Sequence, residues 1–232
     1  MTVLEIRPVV GLAEIQEGDD LASLIVEAIA MDGWSLEDKD IVVVTHKVVS
    51  KQEGRIVAIP DEDTYRALVQ DEAVEIIRRR GDLVIARTKH GFICANAAVD
   101  RSNVAEGFAL LLPVDPDRSA HRLRNLIERA TSTSIGVVIT DTFGRPWRRG
   151  LVDVAIGVSG LPSIIDLVGT RDAHGNELNV TEIAIVDEIA AAADLVMGKA
   201  SQIPAAVVRG LSLEGSGRIA DLIRPPEEDL FR

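Results

Sequence analysis

The chain has 232 residues, of which 47% are hydrophobic, 27% charged and 3% aromatic. That composition excludes a disordered polyelectrolyte and suits one large domain or two small intertwined ones, with a core of Ala, Val, Leu and Ile. A formal net charge of −12 argues against nucleic acid as a partner, because duplex binding rests on lysines and arginines that neutralise phosphates. The same balance is compatible with a divalent cation, whose usual ligands are carboxylates. The single cysteine, Cys94, excludes an internal disulfide and, within an apolar run, reads as a packing thiol rather than a nucleophile. No basic-then-apolar leader opens the chain, and no stretch of roughly 18 uncharged apolar residues occurs. The expectation is a cytoplasmic protein with no membrane partner.

Residues 3–10 read as a strand broken at Pro8. Asp19 or Asp20 can cap a helix whose apolar face is Leu21, Leu24, Ile25, Ala28 and Ile29, at helical spacing. Residues 40–44 form a buried strand, and residues 63–80 predict a second helix with one charged face. Residues 83–87 and 92–97 alternate as a hairpin with Lys89, His90 and Gly91 at its turn. Residues 107–114 are extended, and Asp117 or Ser119 can cap a helix reaching Ala130. Residues 135–139 are the most apolar strand. The Gly-rich stretch 144–175 reads as loop, residues 176–180 as a short extended piece, residues 182–197 as a long helix and residues 205–208 as the last strand. Strands and helices mix without a clean βαβ period, so the fold class is α/β or mixed α+β. No GxGxxG or P-loop is present, so any nucleotide must be held by another device.

Three segments share one design, an apolar strand ending in polar residues. They run from Val42 through Thr45, His46, Lys47 and Lys51, from Ile93 through Asn96, Asp100 and Asn103, and from Val137 through Thr140, Asp141, Thr142 and Arg145. Strand ends are where α/β proteins assemble sites. Asp100 and Asp141, with the Thr142 hydroxyl, offer hard oxygens for Mg²⁺ or Mn²⁺, which would orient a transferring phosphoryl group. Each aspartate serves equally as a turn or helix cap. His46, Lys47 and Lys51 supply cations for phosphate or form a solvated strand end. Arg145, Arg148 and Arg149 around Trp147 fit carboxylate or phosphate binding with ring stacking, or a subunit contact. Asp187 and Asp194 share a helical face that reads as solvated. The loop from Gly198 through Lys199 to Gln202 closes over phosphates or simply ends a helix. His90, His121 and His174 show no metal-ligand spacing.

The chain resembles the γ-glutamyl ligases that act on the deazaflavin coenzyme precursor F420-0. The resemblance spans essentially the whole length. It rests on Pro8-Val9-Val10-Gly11-Leu12, Glu17-Gly18-Asp19-Asp20-Leu21, Val48-Val49-Ser50-Lys51 with Glu53-Gly54-Arg55, and Leu112-Pro113-Val114-Asp115-Pro116-Asp117. It continues through Asn96 to Asn103, Ile139-Thr140-Asp141-Thr142-Phe143-Gly144-Arg145, Gly175-Asn176-Glu177-Leu178, Ala184 to Lys199 and Val207-Val208-Arg209-Gly210-Leu211. It implies a family-specific α/β fold in one domain, 1–232, and a homodimer with sites near the subunit interface. The implied reaction is GTP-dependent: the terminal carboxylate of F420-0 is activated as an acyl phosphate, L-glutamate attacks through its α-amine, GDP and phosphate leave, and later glutamates join through γ-carboxylates. It implies Asp100, Asp141 and Thr142 as ligands of Mg²⁺ or Mn²⁺, with K⁺ as a further ion. It implies Leu12, Ala13, Glu14, Ile15, His46, Lys51 and Asn103 as nucleotide contacts, with Asp100, Asp141 and Lys51 carrying the chemistry. Two departures stand out. Lys199 occupies the place of a metal-binding Glu of archaeal members, and relatives that fuse a reductase domain do so just after a Leu-Phe near Leu230 and Phe231, where this chain stops at Arg232. A stand-alone ligase and an excised ligase half both fit. A ligase for another carboxylate acceptor and a non-catalytic nucleotide-binding subunit remain alternatives.

Overall fold

The computed structural model describes residues 3–230; Phe231 and Arg232 of the C-terminal landmark lie outside them. The elements in chain order are β1 (Glu5–Pro8), α1 (Leu21–Met31), β2 (Ile41–Thr45), α2 (His46–Gln52), β3 (Ile56–Ala58), α3 (Glu62–Glu72), β4 (Ala73–Arg80), β5 (Leu83–Thr88), β6 (Ile93–Ala95), β7 (Phe108–Leu110), α4 (Pro116–Thr131), β8 (Gly136–Arg145), β9 (Arg148–Ser159), β10 (Ile165–Asp166), β11 (Glu182–Ile183), α5 (Ile185–Met197) and β12 (Ala205–Arg209). The fold is mixed α/β, as the sequence predicts.

The main sheet runs β1-β12-β2-β8-β9. Only β2 and β8 pair in parallel; the other neighbours are antiparallel. Val42, Val43 and Val44 of β2 and Val137, Val138 and Ile139 of β8 are all fully buried. A strand covered on both faces reads as a continuous apolar run, and each such side chain contributes about 1.5–3 kcal/mol by leaving water. Helix α4 packs on β8 and β9, α5 packs on β9, β1 and β12, and α1 packs on α4. A second core lies under the β4-β5-β6 sheet and the β3-β7 pair, where Tyr65, Val69, Val84, Ala86, Val99 and Leu111 meet.

Local chemistry explains the boundaries. Asp20 caps α1 by accepting from the Ser23 amide at 3.2 Å, and Asp115, rather than Asp117 or Ser119, caps α4 by accepting from the Arg118 amide at 3.0 Å. Asp117 instead accepts from the Val158 amide at 2.9 Å and ties α4 to β9.

The structure corrects four elements. The helix predicted over residues 63–80 stops at Glu72. Val74, Ile76 and Ile77 are β-branched, and with a turn at Gly81 (φ +60°) they pair β4 with β5 instead. The stretch 144–175 is not loop throughout, because β8 continues to Arg145 and β9 returns for 12 residues. Gly157 within β9 marks close approach, since a Cβ there would lie 2.5 Å from the Pro116 carbonyl oxygen. Residues 176–180 contribute only an isolated Arg171–Glu177 bridge. Glu182 and Ile183 pair with Asp166 and Ile165, so the last long helix begins at Ile185. No helix among the described residues is long and apolar enough to cross a membrane.

Candidate functional site

The three strand-to-polar segments converge. Parallel pairing sets Thr45 beside Thr140, so α2 and the outer half of β8 start side by side. The β5-β6 hairpin delivers the third segment through a left-handed turn: Asn96, Ala97 and Ala98 have φ of +50°, +50° and +58°. Each such non-glycine residue costs about 1–2 kcal/mol, and such strain persists only where the surroundings over-determine it. Here Asn96 Oδ1 accepts from the Val84 amide at 3.0 Å, and Ala97 and Ala98 are buried. The turn delivers Asp100, whose backbone bonds Leu110 in both directions, at 3.0 and 2.7 Å.

Next to these strand ends opens a cleft of about 690 Å³, within the range of small-molecule sites. Its walls include Leu12, Ala13, Glu14 and Ile15 from the loop after β1, Lys47 and Lys51 from α2, and Asn103 from the loop after Asp100. Thr142 of β8, Asp153 of β9, Asp194 of α5 and Lys199 from the following loop complete it. Of the residues singled out in the sequence, Leu12, Ala13, Glu14, Ile15, Lys51, Asn103 and Thr142 therefore line one cavity. Asp100, Asp141 and His46 do not line it; they stand behind Lys47 and Thr142.

Lys47 forms an ion pair with Asp100. Ser102 adds its amide at 2.7 Å and its hydroxyl at 3.0 Å to the same carboxylate. Burial pushes the Asp100 carboxyl upward, but Lys47 and the Ser102 donors outweigh it and hold the group below the usual carboxylate range. Burial likewise opposes ionisation of Asp141, and the nearby His46 and Lys47 again prevail and lower it. His46 is fully buried. Its Nδ1 lies 3.3 Å from Ser50 Oγ, and its Nε2 lies 3.3 Å from Asp141 Oδ1, a polar contact without the alignment of a hydrogen bond. The imidazole thus faces Asp141 rather than the cleft. Lys51 is buried and pairs with the exposed Glu14. Cys94 is inert: burial, helped by Asp141, pushes its thiol up to about 12.

Asp153 is the residue the sequence reading missed. Facing Thr142 across the β8-β9 pair, it accepts from Thr142 Oγ1 at 2.6 Å and from Thr140 Oγ1 at 2.9 Å. The available signal was one acid inside the apolar run from Leu151 to Val158, since a carboxylate buried there must be partnered. Asp194, read as part of a solvated helix face, instead lines the cleft; burial, with Asp153 nearby, raises its carboxyl.

Among the described residues, no three or more His, Cys, Asp or Glu side chains gather as a metal cage. The donor set still fits a Mg²⁺-like ion, which is held by one or two carboxylates and completed by substrate phosphates and water. Asp100, Asp141 and Thr142 are hard oxygen donors; the Lys47 ammonium now pairs with Asp100, and the His46 imidazole lies 3.3 Å from Asp141.

Residues 10–210 match the family described as F420-0:Gamma-glutamyl ligase. Among curated relatives, the coenzyme F420:L-glutamate ligase of Methanothermobacter thermautotrophicus is 41% identical, over 96% of each chain. That of Methanopyrus kandleri is 39% identical, over 100% of this chain and 99% of its own. That of Methanocaldococcus jannaschii is 42% identical, over 86% and 87%.

Proposed function

The chain belongs to the F420-0:gamma-glutamyl ligase family, and on that premise we propose that it joins L-glutamate to the deazaflavin F420-0 at the cleft of about 690 Å³, using GTP and a divalent cation. The observation that carries this reading is the convergence of Leu12–Ile15, Lys51, Asn103 and Thr142, remote in sequence, on one cavity edged by three lysines.

Lys51 and Lys199 hold phosphate oxygens as point charges. The backbone from Leu12 to Ile15 and the Asn103 side chain orient the guanine nucleotide. Asp100, once released from Lys47, Asp141 and the Thr142 hydroxyl would hold Mg²⁺ or Mn²⁺, which would supply neutralisation of phosphate charge and alignment of the transferring group. The F420-0 carboxylate attacks the γ-phosphorus, the bond to the β-phosphate oxygen breaks, and GDP leaves. The glutamate amine then attacks the acyl phosphate carbonyl, so that amide, phosphate and a proton are produced. Positioning of the reactants and electrostatic stabilisation together supply the acceleration for such transfers. The homodimer expected of the family would use the apolar β8-β9 tip, where Trp147 is 87% and Leu151 61% exposed.

The test is phosphate release in the presence of Mn²⁺, L-glutamate and F420-0, with GTP and ATP compared. Release with GTP that requires both other substrates supports the reading. Release that is indifferent to F420-0 points to another acceptor, and binding without release points to a non-catalytic subunit.

A further inference from the structure

We propose that Asp153 is a positioning residue that fixes the polarity of the Thr142 hydroxyl, turning its lone pairs toward the cleft so that this wall receives a cation. The inference rests on the proposed use of Thr142 as a cation ligand, and it adds a residue that this reading does not contain.

A threonine hydroxyl has one hydrogen and two lone pairs. Left alone on a cleft wall, it rotates to suit its ligand and donates to a phosphate oxygen as readily as it accepts from a cation. Thr142 is not left alone, because its hydrogen is committed to Asp153 Oδ1 at 2.6 Å. The second oxygen is fixed in turn by Thr140 Oγ1 at 2.9 Å. The carboxylate is 5% exposed, and Thr140 is fully buried. No ion pair engages Asp153 among the described residues, so the two hydroxyls are its side-chain donors. Strand geometry enforces the arrangement: Thr140 and Thr142 project from the same face of β8, two residues apart, and Asp153 lies directly opposite Thr142 on β9. A buried carboxylate needs partners, which these two hydroxyls supply, and the lone pairs of Thr142 are left on the cleft wall, where they suit a positive charge. Groups that orient a metal ligand from behind typically alter affinity by about 10- to 100-fold when removed.

The experiment is Mn²⁺ titration followed by the paramagnetic resonance of the free ion, on the full chain without nucleotide or acceptor. Melting temperature and circular dichroism check folding. Asp153→Asn keeps one acceptor oxygen and Asp153→Ala keeps none. The expected result is weaker Mn²⁺ binding by about 10-fold for the first and about 100-fold for the second. In a Thr142→Val background, where no hydroxyl remains to orient, both substitutions should change affinity by less than about twofold, as coupled residues behave in a double-mutant cycle. Equal losses in both backgrounds would show that Asp153 acts through its own charge, and unchanged binding in a folded Asp153→Ala would show that it does not act at all; either result overturns the proposal. Absence of Mn²⁺ binding by the unsubstituted protein would overturn it together with the metal part of the proposed function. A failure of glutamylation alone, with the Mn²⁺ cycle as expected, would leave the positioning role standing and reject only the acceptor.

Discussion

Replacing Lys47 by Met should tighten divalent-cation binding while impairing turnover. The Lys47 ammonium pairs with Asp100, and their side chains are only 12% and 27% exposed. A divalent ion that uses Asp100 must first displace that ammonium. Two unit charges about 4 Å apart at an effective dielectric near 20 interact by about 4 kcal/mol, which sets the scale of the competition. Desolvation and the flexible lysine stem offset part of it, and hydrogen bonds to charged groups contribute about 1.5–3 kcal/mol net. At about 1.4 kcal/mol per tenfold, Lys47→Met should bind Mn²⁺ about 10- to 100-fold more tightly. Met keeps the length and packing of the stem. Because Lys47 also lines the cleft, its loss should raise the KM for the nucleotide. Metal-free protein should melt lower, since Asp100 keeps only the Ser102 donors, and Mn²⁺ should restore the melting temperature. Titration of metal-free protein, read by the free-ion resonance, supplies the affinities. A folded Lys47→Met protein that binds Mn²⁺ no better than the unsubstituted chain would refute the idea that ammonium and metal compete for Asp100.

Arg209→Met should be among the most destabilising changes distant from the cleft. It strands the Asp40 carboxylate, which is 1% exposed and held by Arg209 at 2.8 and 2.7 Å. Unpairing a buried charge costs about 3–5 kcal/mol, so the melting temperature should fall by about 6–20 °C at this chain length; a fall under about 2 °C would contradict the clamp. Asp141 titrates below the unfolded value of about 3.9, so its stabilisation is present above that pH and is lost as pH drops through the lower folded value. Asp141→Asn should therefore lose less stability between pH 5 and pH 2 than the unsubstituted chain in urea titrations; parallel losses would deny Asp141 an ionised role. Trp147→Ser should weaken self-association seen by light scattering, and an unchanged mass would remove the β8-β9 tip from the interface.

Much of the fold is legible because its signals are local. The α1 face, the buried runs of β2 and β8 and the turn at Gly91 each sit within a dozen residues. The end of α3 is less so, because the charge pattern of residues 63–80 suits a helix while pairing with β5 decides for a strand. β9 was obscured by its glycines, and the reason for Gly157 lies in α4, more than 30 residues away in sequence. For the site, residue type alone pointed to Asp100, Asp141, Thr142 and Lys51. That Lys47 meets Asp100, that His46 turns inward to Asp141 and that Asp153 stands behind Thr142 are all facts of pairing across the chain, which spacing does not encode.

The most direct test of the central claim is the mass of the deazaflavin after incubation of F420-0 with the protein, GTP, Mn²⁺ and L-glutamate. The account predicts a gain of whole glutamyl units that requires GTP and is lost in Asp141→Asn. An unchanged mass, with GTP intact and the protein folded, would contradict it.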